Sequence, residues 1–447
     1  MLNILHLTPH MGGGVGTVLR SYFAFESKKL EERVHTVCSL EELDGQSKTH
    51  LASVGIRHAD KMYQDLATVS QMIDNSDIVL IHWWNHPLLQ DLLLNQQMPP
   101  SRILLWCHIS GLQSPNVISK YILDFPDEFI FTTPLSRQVP CVMSYRESNK
   151  SEFDTIWSTC GYESIIEKCQ PPKSKNHSAS KKTRLGYVGN LDQTKVSEDF
   201  FQILRLLDPS TYEITIIGPR TRFFDDMTTK YKMQNLSYLG YVSEDEKFHH
   251  LNNFDIFFYP LARNHYGTCD QALQEAMTLG IPAVAFNNPM ESYMIDHGVT
   301  GLIAKNTNEF AQHISLIGSN NNLYRELSIQ SRAKARREYS MAFMAGRWEE
   351  KFSSCLEKPK NEKKSMSAIL GRTLKKSEVM AASLGIYGGV FWQALQATDL
   401  YTKSKLESQI ATLSSSLNWT SPSKSSVHHY AKFFDDPDIA RWSDLTA

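Results

Sequence analysis

A chain of 447 residues is too long for a single hydrophobic core and fits two domains with room for an appendage. Its formal net charge of −2 gives no sign of a nucleic-acid-binding surface, local clusters mattering more than the total, and its composition is that of a soluble globular protein. Seven cysteines, odd in number and scattered without a C-x-x-C pair, point to reduced cytosolic thiols and away from zinc or redox work. The opening MLNILHLT lacks the basic and long apolar regions of a secretory signal.

Residues 2–8 (LNILHLT) have the continuous apolar pattern of a buried parallel strand and run into PHMGGGVGTVLRSYFAF. There Gly12, Gly13, Gly14 and Gly16 form a glycine-rich turn ahead of an amphipathic helix. Such a turn, at the carboxyl end of a first strand, brings backbone N–H groups close to a ligand. It is not the G-x-G-x-x-G dinucleotide fingerprint, and a tight turn without a ligand is the plain alternative. Strands follow at 77–82 (DIVLIH), 102–108 (RILLWCH) and 128–132, with room for helices between them. That alternation predicts a doubly wound parallel sheet. Polar residues at strand carboxyl ends line the crevice of such a sheet, which makes His108 a functional candidate. His82 and His86, flanking Trp83 and Trp84, read instead as packed interior aromatics.

Residues 168–183 are rich in Pro, Lys and Ser without apolar periodicity and read as a linker between an N-terminal domain, 1–167, and a second domain, 184–340. The second domain restarts the alternation with RLGYVGNL (184–191), a helix at 199–207, YEITIIG ending at Gly218, SYLGYV (237–242) and DIFFYP (255–260). Two α/β domains in tandem imply a cleft between them.

The strand at 255–260 delivers the chain to RNHYGTCDQALQEAMTLGIPAVAF, residues 263–286. Thr268 and Gln271 fit a T-x-x-Q capping box, which starts a helix near Cys269. Gly280 stops that helix, Pro282 forbids its continuation, and residues 281–286 form an apolar strand. Ala272, Glu275, Ala276 and Leu279 share a helix face, so Glu275 is a lone carboxylate on an apolar stripe and needs a partner. Gly267 and the first-turn amides suit an anion such as a phosphate.

Residues 341–357 have helical apolar spacing around Trp348. Residues 358–447 form a C-terminal extension: lysines and Arg372 up to residue 376, then an uncharged run, VMAASLGIYGGVFWQALQAT, at 379–398. The run approaches a membrane span in length, but its glycines and glutamines make it a poor one. A helical appendage packing on the protein or on a second subunit fits it, and so does a segment lying at an anionic membrane surface beside the basic stretch. The D-x-D at Asp436 to Asp438 lies outside both α/β domains and reads as a helix start.

Five segments in order resemble the retaining glycosyltransferases of family 4, which have the GT-B architecture of two Rossmann-like domains facing a cleft: GGGVG, YVGNLDQTK (187–195), IIGPR (216–220), LGYVSEDE (239–246) and QEAMTLGIPAV (274–284). The resemblance covers roughly residues 1–355 and makes 341–357 the family's crossover helix. It implies transfer of a sugar from a nucleotide-sugar donor, such as a UDP- or GDP-sugar, to a saccharide, lipid-linked or protein acceptor hydroxyl. Retention, no metal and no cofactor are expected, in surface polysaccharide or glycoconjugate synthesis, in the cytoplasm or at the inner face of the membrane.

The family's G-R-L-x-x-x-K segment holds the donor diphosphate; Lys195 matches its Lys, while Asn190 stands in place of its Arg. Gly13, Gly14 and Gly16 resemble the loop facing the acceptor and donor phosphates, and Gly218 and Arg220 fall in a further donor-side segment. Tyr241 and Val242 resemble the nucleobase-holding loop. His108 resembles a histidine near the sugar. Glu275 matches the second Glu of the family's E-x7-E, which binds the ribose. The first Glu is absent. An ungapped register puts Gly267 there; matching Tyr266-Gly267 to the family's Phe-Gly leaves three extra residues and brings Asn264 or His265 to the sugar, with Asp270 as a substitute carboxylate. Thr268 and Cys269 belong to the same stretch. These departures motivate a second reading, an impaired homologue acting as a binding or scaffold subunit. A third, a phosphorylase or epimerase with the same architecture, differs in its products.

Overall fold

The apolar runs of the sequence form two separate parallel sheets in the computed structural model, which describes residues 1–29, 32–169, 182–233, 236–263, 265, 267–423 and 425–447. Most of the 168–183 stretch lies outside the described residues. The chain divides into two compact units, Met1–Ile156 with Ala345–Ala447, and Trp157–Met344.

In the first unit β1 (Leu2–Thr8), β2 (Arg33–Ser39), β3 (Arg57–Ala59), β4 (Ile78–Trp83), β6 (Ile103–Cys107), β7 (Glu128–Phe131) and β8 (Asp154–Thr155) lie in the order β3-β2-β1-β4-β6-β7-β8, with β5 (Met98–Ser101) outside the sheet. All pairs are parallel. Every residue of β4 and β6 is buried, because helices cover both faces and no strand face remains for polar alternation. In the second unit β9 (Thr183–Val188), β10 (Tyr212–Ile217), β11 (Leu236–Gly240), β12 (Ile256–Tyr259), β13 (Ala283–Phe286) and β14 (Gly301–Ala304) take the order β11-β10-β9-β12-β13-β14. Strand order therefore reverses between β1 and β4 and between β9 and β12. At such switch points loops diverge from neighbouring strand ends and leave a crevice.

β2, β3 and β14 were not anticipated. β2, RVHTVCS, carries Arg33 and His35 in positions that a buried strand seldom tolerates; both are buried here because each has a polar partner.

The C-terminal extension is part of the first unit's core. The helix Pro87–Asn95 is buried along its whole length, and Val379, Met380, Leu384, Phe391, Trp419, Tyr430 and Trp442 belong to the same hydrophobic cluster as its Leu88, Leu89, Leu92 and Leu93. Asn95 locks the seam by donating to the Leu374 carbonyl at 3.1 Å and accepting from the Leu374 amide at 2.8 Å. Lys376 pairs with Asp91 at 2.6 Å. A short antiparallel pair joins β15 (Asn361–Lys363) to β5. Asp436 caps the helix Pro437–Leu445, as its helix-start reading expects, accepting from the Asp438 and Ile439 amides. Among the described residues no helix is long and apolar enough to cross a membrane.

Candidate active site

In the second unit, three loops at the carboxyl ends of β9, β10 and β11 meet back to back. The Gly189 amide donates to Ile217 and the Gly218 amide to Gly240. A Cβ on Gly218 would lie 1.9 Å from the Gly189 carbonyl oxygen, so only glycine allows this approach. Asn190, standing where the family has Arg, is exposed and spends its side chain on Asp192 and the Leu191 amide. Arg220 is exposed, paired with Asp225 and stacked 5.4 Å from the Tyr238 ring. Tyr241 is 87% exposed and Val242 half-buried. These side chains form a solvent-facing rim.

Lys195 is held where β9 and β12 part. Its carbonyl accepts from the Ala262 amide at 2.8 Å, and Val196 bridges to Leu261. The ammonium lies 5.7 Å from the centre of the Tyr259 ring. It also holds down the pKa values of two buried carboxyls, Asp270 and Glu291. Tyr259 donates to Asp270 Oδ1 at 3.2 Å, and His265 Nε2 sits 3.9 Å from the same oxygen. Asn288 donates to Glu291 Oε1 at 2.9 Å. Asp270 Oδ2 and Glu291 Oε2 have no partner among the described residues. Burial raises the Asp270 carboxyl against the pull of Lys195 and Tyr259. Burial and then Asp270 push Glu291 up to about 8.

One atom from each of His265, Asp270 and Glu291 lies within 4.8 Å of the others, a spacing that also suits a cation. With Glu291 biased to its protonated form, the chemistry favoured at neutral pH is hydrogen bonding, Glu291 donating and Asp270 accepting. The expected capping box is not formed. The helix runs Gln271–Thr278, its N-cap is Asp270 in the left-handed region (φ 33°), and no side chain caps it. Asp270 is drawn to Tyr259 and the buried cluster, which delays the helix past Thr268 and Cys269. Thr268 is half-buried, Cys269 and Gly267 buried, and the Gly267 amide donates to His265 Nδ1 at 3.1 Å. Asn264 and Tyr266 lie outside the described residues.

Glu275 has a protein partner. Lys247, on the helix Glu244–Leu251, reaches its Oε1 at 2.6 Å. Burial works to lower the Lys247 pKa, but the Glu275 carboxylate holds it above the usual value. Gln274 beside it is fully buried; it accepts from the Cys160 amide at 3.0 Å and donates to the Ser158 and Cys269 carbonyls. Lys247, Gln274, Tyr259 and Glu291 escaped the sequence reading because each takes its meaning from a neighbour on another element.

In the first unit Gly12 precedes the helix Gly13–Glu26, and its amide donates to His10 Nδ1 at 2.9 Å. A Cβ on Gly16 would lie 1.7 Å from the Met11 carbonyl oxygen, so the turn requires glycine there. Gly13 has φ +59°, and Gly14 follows it in the helix's first turn. Next to this turn, His86 Nε2 lies 3.0 Å from Glu41 Oε1. His82 and His86 are buried, as packed aromatics would be. His108, half-buried just beyond β6, brings Nε2 within 3.2 Å of His82 Nδ1.

Residues 171–334 match the family described as glycosyl transferases group 1. The fold resembles a glycosyltransferase from Rickettsia africae (TM-score 0.60, 15% identity, 80% of this chain and 99% of that one). It also resembles HepE from Anabaena, solved in complex with UDP-glucose (0.59, 16% identity, 79% of this chain and all of that one). An uncharacterized 41.2 kDa protein from the cps region of Klebsiella pneumoniae is 24% identical over 184 residues, 38% of this chain and 49% of that protein. The match thus spans about half the length of this curated relative. The chain thus resembles the group 1 glycosyl transferases across most of its second unit, on two tandem parallel sheets with switch-point loops, as in the GT-B architecture that its motifs resemble.

Proposed function

We propose that the protein transfers a sugar from a nucleotide-sugar donor to an acceptor hydroxyl with retention of configuration, and that the unit Trp157–Met344 holds the donor. The observation that carries this reading is the group formed by Lys195, Tyr259, His265, Asp270 and Glu291 at the switch point between β9 and β12. A departing nucleoside diphosphate gains negative charge, and Lys195 is the cation placed to stabilise it. Asp270 substitutes for the missing first Glu by accepting from a sugar hydroxyl, while protonated Glu291 donates to another. Glu275, held in place by Lys247, accepts from the ribose hydroxyls. A UDP-sugar is favoured, since HepE was solved with UDP-glucose. The cps-region relative supports a role in surface polysaccharide synthesis, at the cytoplasmic side where nucleotide sugars are made.

The test is a panel of UDP- and GDP-sugars incubated with the full chain, following free nucleotide and the change in melting temperature. Nucleotide release with at least one donor is expected. A donor-dependent thermal shift without release from any donor would favour the binding-subunit reading, which the Asn190 substitution and the missing Glu motivate. Neither shift nor release would sink both.

A further inference from the structure

The first sheet contains a file of four histidines that no part of the proposed donor site uses. The registers Ile4↔His35, His6↔Leu80 and His82↔Trp106 put His35, His6 and His82 on one face of β2, β1 and β4, and His108 follows Trp106 by two residues. Their ring nitrogens meet in sequence. His35 Nδ1 lies 2.8 Å from His6 Nε2, His6 Nδ1 lies 3.0 Å from His82 Nε2, and His82 Nδ1 lies 3.2 Å from His108 Nε2. Tyr22 and Phe23, from the helix Gly13–Glu26, pack on His6 and His35, and Trp106 packs on His82 and His108. At the inner end His35 Nε2 lies 3.6 Å from Glu26 Oε2, a fully buried carboxylate also bound by Arg33 at 3.1 Å.

A neutral imidazole donates through one nitrogen and accepts through the other, so a file of them has a direction. Burial lowers the pKa of His6 and His108 well below the ordinary range and that of His82 to about 3, which keeps these three neutral. The Glu26 carboxylate, 3.6 Å from His35 Nε2 and beyond hydrogen-bond length, favours a proton on that nitrogen through its charge. His35 Nδ1 then accepts from His6 Nε2–H, His6 Nδ1 from His82 Nε2–H, and His82 Nδ1 from His108 Nε2–H. The last ring is left with a lone pair on Nδ1.

We propose that His35, His6 and His82 are positioning residues which hold His108 in its Nε2–H tautomer, so that Nδ1 is presented as a hydrogen-bond acceptor to a substrate hydroxyl. The identity of that hydroxyl, on the sugar or its acceptor, rests on the glycosyltransferase reading; the tautomer does not.

The experiment therefore has two arms. Long-range proton–nitrogen NMR on the ¹⁵N-histidine-labelled full chain, with signals assigned by single substitutions, reads the tautomer whether or not the protein transfers sugar. His108 protonated on Nε2 is expected; His108 protonated on Nδ1, or an even mixture, overturns the proposal. In the second arm His35→Leu removes the acceptor for His6, whereas His35→Asn keeps an oxygen near the Nδ1 position. His35→Leu should give a mixed His108 tautomer and a fall in kcat of about tenfold or more with KM little changed, and His35→Asn should restore both. If His35→Leu fails to fold, Glu26→Gln tests the same point by removing the charge that sets the direction. Unchanged tautomer and kcat in the variant that folds would refute the positioning role. Absence of transfer by the wild-type chain, with the tautomer as expected, would count against the proposed function alone.

Discussion

At the residue scale the informative groups are buried charges whose partners decide their state. Glu291 titrates at about 8 against an ordinary 4.5, so between those values the folded protein keeps a proton that the unfolded chain has released. That group's contribution to stability is complete at low pH and is lost as pH rises through about 8. Glu291→Gln preserves the oxygen that Asn288 bonds and cannot ionise. Melting curves should show it gaining on wild type as pH increases from 6 to 9; parallel curves would contradict the raised pKa. Lys247→Ala strands the Glu275 carboxylate, a change worth about 3 kcal/mol for a buried pair. Denaturant titration should show a loss of that order. Lys195→Ala, by contrast, should fold and lower kcat by about a hundredfold or more, since backbone bonds hold the Lys195 loop in place. A wild-type rate would remove it from the leaving-group role.

At the element scale, the loops after β1 and β10 depend on glycine for lack of space. Gly16→Ala and Gly218→Ala each force a Cβ against a carbonyl oxygen and should cost about 1–3 kcal/mol. Gly13→Ala meets no neighbouring atom, but its φ of +59° is strained for alanine, so a smaller loss of about 1 kcal/mol is expected. Comparing the three by thermal denaturation separates crowding from backbone conformation. The delayed helix start at Gln271 belongs to the same scale. A T-x-x-Q pattern offers a local hydrogen-bonded start, yet Asp270, pulled toward Tyr259, takes a left-handed conformation that ends the competition.

At the scale of the molecule, the extension after residue 358 completes a core. The helix Pro87–Asn95 carries leucines around more than one stripe because the sheet covers one side and the extension covers the other. Deleting residues 366–447 should therefore yield an insoluble or unfolded protein rather than a soluble enzyme that has lost a surface contact. Phe391→Ala, at a fully buried position against Trp442, should cost about 3–5 kcal/mol. A truncated chain with native circular dichroism and an unchanged melting temperature would show the extension to be dispensable.

The sequence by itself determined the class of the fold, because continuous apolar runs alternating with amphipathic stretches can bury their surface only as a parallel sheet covered on both faces. It also determined where the chain turns tightly: the glycine-rich turn at 12–16 and the helix stop at Gly280 before β13 were legible as local conformational demands. Lys195 was singled out by its register in the family's motif, Glu275 by its place on an apolar helix face and His108 by its place at a strand's carboxyl end. Only the tertiary structure decided what these residues face. Lys247 beside Glu275, Glu291 beside Asp270, and His6 and His35 behind His82 come from other strands or helices, brought together by sheet order and register. The same holds for the uncharged run at 379–398, whose hydrophobicity suits a membrane surface or a core equally well. The packing of Val379, Leu384 and Phe391 into the core shared with the leucines of 88–93 buries one side of it while Ile386 and Tyr387 stay exposed, because burial is a property of neighbours and not of the run itself.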